Sequence, residues 1–152
     1  MSRGLTNIFV DRVLLWGAEH CIGVFSCDAI PFSNRNVYTF VCNLSKTNEI
    51  GTHFVAVSVD KATQTAEYYD SFGRQCQNGY ILAYLEEQHV KKMNFNGQQI
   101  QSYMSDFCGI HCIAYVLSKN NNVPLMEFVS MYNTHDLMSN DNVSLKYTMT
   151  NL

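Results

Sequence analysis

The chain is short of several things at once. No apolar run approaches the length of a membrane span, and the N-terminus carries no charged-then-apolar leader, so a soluble protein made in a reducing compartment is expected. Positive charge is scarce. Ten Lys and Arg against thirteen Asp and Glu leave a net charge of −3, and Lys91-Lys92 is the local basic pair, which argues against a nucleic-acid binder that needs clustered cations. Metal-ligand spacing is missing too. The cysteines at 21, 27, 42, 76, 108 and 112 include no Cys-x₂-Cys pair, so neither a zinc site nor a disulfide framework is expected, and no cofactor. Cys112, Cys42 and Cys21 read as core thiols. Cys76, in a polar stretch after Gly73, is either an exposed redox-sensitive thiol or an ordinary loop residue.

What is present suits one globular domain over residues 1–152. A hydrophobic content of 47% with 12% aromatics is that of a folded rather than a disordered chain, and the length suffices for a sizeable core. Leu5–Trp16 reads as an amphipathic helix with Thr6 or Asn7 as cap, and Ile22–Pro31 as a loop carrying short extended pieces. Val37–Asn43, His53–Val59 and Thr65–Asp70 read as strands, and Tyr80–Lys92 as a helix. Asn94–Gly97 is a turn, Gln98–Tyr103 a short strand, and a further helix follows Pro124. Asp141–Leu152 is open between helix and strand.

The stretch from Gln101 to Leu117 carries the strongest chemical signal. Apolar residues at Ile110, Ile113, Ala114 and Leu117 recur with helical spacing, predicting a core helix from Phe107 to about Ser118 with Cys108 in its first turn. The positive end of a helix favours a thiolate over a thiol, so that position suits a nucleophile. Gly109 leaves the sulfur approachable. Gln101 can turn its amide N–H groups towards an oxyanion beside the Cys108 backbone N–H, if the chain folds back before the helix. The plainer alternative is a cysteine serving as a small buried hydrophobe. His111 points away from Cys108 and reads as structural.

The hairpin supplies the partners. If Asp60–Thr63 form a four-residue loop, Val59 faces Gln64 and Asp70 lies directly opposite His53 on one face of the sheet. A carboxylate there fixes the imidazole and leaves its other nitrogen to take a proton from a thiol. A slip of one residue would separate the two. Otherwise His53 simply begins an exposed strand and Asp70 opens the turn Asp-Ser-Phe-Gly.

The order His53, Asp70, Gln101, Cys108 resembles that of the adenain-type cysteine proteases of adenoviruses and related viral or mobile elements, in the clan that includes the SUMO- and NEDD8-specific proteases. The segments carrying the resemblance are Gly-Thr-His53-Phe-Val-Ala-Val, Tyr-Tyr-Asp70-Ser-Phe-Gly and Gln101-(x)₆-Cys108-Gly. It implies an α+β fold, a central, mostly antiparallel sheet flanked by helices. It also implies a cysteine endopeptidase: Cys108 as nucleophile, His53 as general base and acid, Asp70 orienting His53, and Gln101 in the oxyanion hole. Cleavage after Gly-containing motifs in viral precursor proteins would follow, in the host cytoplasm or nucleus or packaged in the virion. The alternatives are an isopeptidase acting on ubiquitin-like modifiers and a catalytically silent interaction module. Two departures stand out. Phe54 replaces the Trp that often follows the histidine, and Phe107 separates Asp106 from Cys108. No cysteine lies in the helix and turn just before Gln101, so the resemblance brings neither the disulfide-linked activating peptide nor, given the acidic charge, activation by DNA.

Overall fold

The computed structural model describes Val13, residues 17–49 and residues 53–152. The expected helix over Leu5–Trp16 therefore lies outside the described residues, Val13 apart. The elements run β1 (Cys21–Ser26), β2 (Val37–Asn43), β3 (Phe54–Asp60), β4 (Thr65–Tyr69), α1 (Gly79–Glu87), β5 (Lys92–Phe95), α2 (Cys108–Asn120), α3 (Leu125–Val129) and α4 (Asn140–Asn151).

The five strands form one mixed sheet in the order β1-β2-β3-β4-β5. Its centre, β2-β3-β4, is antiparallel, and β1 and β5 add at the edges in parallel. Alternation along the strands divides the core in two. Val41, Phe54, Ala56 and Tyr69 pack with Cys112, Ile113 and Leu117 of α2. Phe40, Cys42, Val55, Val57 and Tyr68 pack on the other face with Ile81, Tyr84 and Leu85 of α1. Helices thus cover both faces of the sheet, which is why β2 and β3 are buried along most of their length.

Several elements differ from the sequence expectation. The segment expected as a loop from Ile22 contributes most of an edge strand, β1, whose pairing with β2 shifts between Cys21 and Val24, where Gly23 has φ 134°. Helix α1 stops at Glu87 rather than Lys92. His89 takes a left-handed conformation (φ 63°), its N–H donates to Glu86 O, and Val90 N–H donates to Leu85 O. That is a Schellman stop, made by a residue that does not advertise one. The chain it releases becomes β5, where a turn over Asn94–Gly97 had been expected. Gln98–Tyr103 is not a strand: Ile100 and Gln101 both donate their N–H groups to Ser71 O, at 2.8 Å each.

The hairpin register is also corrected. Asp60 pairs with Thr65 and Val59 with Ala66, so the loop is Lys61–Gln64 and the pairing lies two residues from the expected one. Asp60 stays in the strand because its Oδ1 accepts the N–H groups of Ala62 and Thr63, while Gln64 takes the left-handed position (φ 57°). A shift of two preserves the face of every side chain. The open C-terminal segment is a helix, α4. Cys42 and Cys112 are core thiols, Cys21 is only half-buried, and Cys76 is buried, its thiol pushed upward by that burial.

Candidate active site

β3 starts and β4 ends at the same end of the antiparallel pair, and the site is built there. His53 is the residue before β3 and Asp70 the residue after β4. The register continued past Ala56 and Tyr69 sets His53 against Phe72, and the two rings do stack, 4.6 Å apart and 13° from parallel. Asp70 reaches His53 diagonally: its Oδ1 lies 2.8 Å from His53 Nε2. The same oxygen accepts the Phe72 N–H at 2.8 Å, so the carboxylate is fixed by the turn it opens.

That turn is held on both sides. Gly73 has φ 78°, and a Cβ there would lie 2.7 Å from the backbone of Gln98 and Gln99, so only glycine lets the two segments pass. Asn96 donates its side-chain amide to Asp70 O at 2.8 Å and to Gln98 O at 2.9 Å, and accepts the Asp70 N–H at 3.2 Å. Its neighbours predict only a turn, and its partner is 26 residues away.

Cys108 opens α2 and is 8% exposed. The first intrahelical donor is His111 N–H, to Phe107 O, and the N-cap residue Phe107 makes no side-chain cap. The amides of the first turn therefore form a positive helix end beside the sulfur. The Cys108 thiol also lies in hydrogen-bonding reach of the His53 ring. Burial by itself would lower the His53 pKa. The hydrogen bonds to Asp70 and Cys108, with the two negative charges, overcome it and raise the value to about 9. An imidazolium beside a sulfur is the arrangement that favours a thiolate.

Gln101 is buried close by. Its Oε1 accepts the Ser71 hydroxyl at 2.5 Å, which fixes the amide's orientation. Its Nε2 then faces Ser105, with the carbonyl at 2.9 Å and Oγ at 3.3 Å. The structure thus joins His53 to Asp70, sets Cys108 within reach of the same ring, and brings Gln101 to the loop leading into α2.

Around these residues the surface is aromatic and basic. Phe72 stacks on His53, Tyr103 lies 5.0 Å from Phe72, and the Arg74 guanidinium covers the Phe72 ring at 4.9 Å. Arg74 Nε is 3.9 Å from Asp70 Oδ2 but largely exposed, so it adds little to the carboxylate's restraint. A cleft of about 510 Å³ opens beside His53 and Asp70, lined also by Phe72, Arg74, Gln77 and Asn78. Among the described residues no group of His, Cys, Asp and Glu could hold a metal, and no helix is long and apolar enough to cross a membrane.

No family model and no curated protein matches the sequence. Solved structures do match. The ASFV pS273R protease superposes with a TM-score of 0.63 at 19% identity, over 93% of this chain and 67% of that one. The SUMO protease Ulp1, with its catalytic cysteine oxidised to a sulfinic acid, superposes with a TM-score of 0.53 at 14% identity, over 97% of this chain and 78% of that one. Both belong to the adenain-like and Ulp1 cysteine protease clan, and at these identities what the chain shares with them is the α+β fold.

Proposed function

We propose that this protein is a cysteine peptidase in which Cys108, His53, Asp70 and Gln101 form the catalytic apparatus. The observation that carries the reading is the imidazole of His53, held at Nε2 by Asp70 and facing the thiol at the head of a helix. Two residues from separate strand ends and one from a helix start have no packing reason to meet in this order. The likeness in fold to two proteases supports the same reading.

In the reaction the Cys108 sulfur attacks the scissile carbonyl, forming a C–S bond as the carbonyl becomes an oxyanion. Gln101 Nε2 and the first amides of α2 are the donors assigned to that oxyanion. His53 holds the proton that came from the thiol and gives it to the leaving amine as the C–N bond breaks. Water then attacks the thioester, His53 takes its proton, and the sulfur leaves. Asp70 remains a carboxylate throughout, fixing the ring and its charge.

The substrate class is protein. Tyr103 and Met104, 66% and 87% exposed, extend the aromatic surface around Phe72 away from the site and suit an extended polypeptide. Cleavage after Gly-containing motifs in viral precursor proteins, inside the host cell, is the specific form we favour. The better-scoring of the two structural matches is a viral protease. An isopeptidase for ubiquitin-like modifiers is the second reading, supported by the fold shared with a SUMO protease.

The test is hydrolysis of a fluorogenic peptide ending in Gly-Gly and of ubiquitin-like modifiers carrying the same reporter. Cleavage of the peptide by the wild type, lost in Cys108→Ala, supports the endopeptidase. Cleavage of the modifier alone favours the isopeptidase, and turnover that survives Cys108→Ala contradicts both.

A further inference from the structure

Behind the nucleophile helix runs a second set of polar contacts. His111 is 0% exposed. Its Nε2 meets Asp141 Oδ1 of α4 at 2.9 Å and its Nδ1 meets Ser144 Oγ at 2.7 Å, which in turn lies 2.7 Å from the Tyr132 hydroxyl. Ser144, His111 and Asp141 have the spacing of a hydrolytic triad, but Ser144 is fully buried and no carbonyl can reach it. A different use is visible at the far end of the chain of contacts. The other Asp141 oxygen, Oδ2, accepts the Ser105 hydroxyl at 2.7 Å.

A serine hydroxyl has one proton and two lone pairs. With the proton committed to Asp141, Ser105 Oγ can only accept. It accepts the N–H of Phe107, the residue before the nucleophile, at 3.1 Å, and faces Gln101 Nε2 at 3.3 Å, while the Ser105 carbonyl takes Nε2 at 2.9 Å. One residue thus holds the amide of Gln101 by two contacts. Ser71 closes the arrangement from the other side, on Gln101 Oε1.

We infer that Ser105, oriented by Asp141 from the C-terminal helix, is a positioning residue of the oxyanion site. It touches no reacting atom and acts by aiming Gln101. The inference rests on the cysteine-peptidase reading, which gives Gln101 its role, and it extends the functional apparatus to α4, the last element of the chain.

The test compares Ser105→Ala and Ser105→Thr with the wild type. Ser105 is half-buried and the alanine removes one hydroxyl, so both variants should fold. The direct readout is the side-chain amide resonance of Gln101 in an ¹⁵N-labelled protein. In Ser105→Ala it is expected to shift and to exchange faster with water, and in Ser105→Thr to stay near its original place. On a fluorogenic Gly-Gly peptide, Ser105→Ala should lower kcat by about tenfold with KM little changed, against about 10²-fold for Gln101→Ala, and should have no further effect in the Gln101→Ala background. Iodoacetamide labelling of Cys108, which forms no oxyanion, should proceed at the wild-type rate. A Gln101 resonance unmoved in Ser105→Ala overturns the inference. If the wild type cleaves no peptide, the peptidase reading fails, while the resonance still decides the part played by Ser105.

Discussion

His53 Nε2 stands 2.8 Å from Asp70 Oδ1 although the sheet sets the two diagonally rather than opposite one another. The place opposite His53 belongs to Phe72, which stacks on the ring. The imidazole is therefore held in its plane by an aromatic face and in its rotation by a carboxylate. Asp70→Asn keeps the shape and removes the charge, and turnover on a peptide substrate should fall by about 10²-fold or more, with KM little affected. An unchanged kcat would remove Asp70 from the apparatus.

The charge on His53 also links the site to pH. Its pKa is raised from 6.5 to about 9 in the folded chain, so folding is favoured by proton uptake. The stabilisation is complete below the unfolded value of 6.5 and is lost as pH rises through about 9. Thermal melts across that window should show Tm falling with pH, and Asp70→Asn should flatten the slope. In NMR, the His53 ring should titrate well above 6.5.

Two cysteines four residues apart should respond differently. Cys108→Ala is expected to abolish turnover with the fold intact. Cys112 is 0% exposed in the core against the sheet, and Cys112→Ala should cost about 1 kcal/mol of stability and leave activity near normal. Denaturant unfolding and peptide hydrolysis on the same preparations separate the two. Equal loss of turnover with both folds intact would contradict the assignment of the nucleophile.

His89 offers a prediction independent of function. It ends α1 in a left-handed conformation that a Cβ disfavours. His89→Gly should raise stability by up to about 1 kcal/mol, seen as a higher denaturation midpoint. A lower midpoint would mean that the histidine side chain contributes more than the conformation costs.

His89 also marks where the sequence stops being readable. Elements made by periodicity are legible: β2 runs over Val37–Asn43, the span its residues suggest, and α2 runs over Cys108–Asn120, within two residues of the expected Phe107 to Ser118. Chain reversals made by side chains are not. The stop at His89 lacks the glycine that would announce it, so the expected helix runs on to Lys92, and β5, with half-exposed Met93 and exposed Phe95, falls where that helix ends and a turn is expected. The hairpin register turned on whether Asp60 caps the loop or belongs to it, and the proximity of His53 and Asp70 tolerated that displacement because a shift of two keeps both on one face. Ser71, Asn96, Ser105 and Asp141 lie beyond any local pattern. Their partners are 26 to 36 residues away, and only the folded chain brings them together.

The central claim is that His53 primes the Cys108 sulfur, and site-resolved alkylation addresses it most directly. The purified protein is treated with a low dose of iodoacetamide near neutral pH, with and without His53→Ala, and the modified cysteine is mapped by mass. Preferential labelling of Cys108 that falls when His53 is removed is the predicted result. Labelling that is indifferent to His53, or that lands first on half-buried Cys21 or on buried Cys76, would contradict an assembled cysteine-histidine pair.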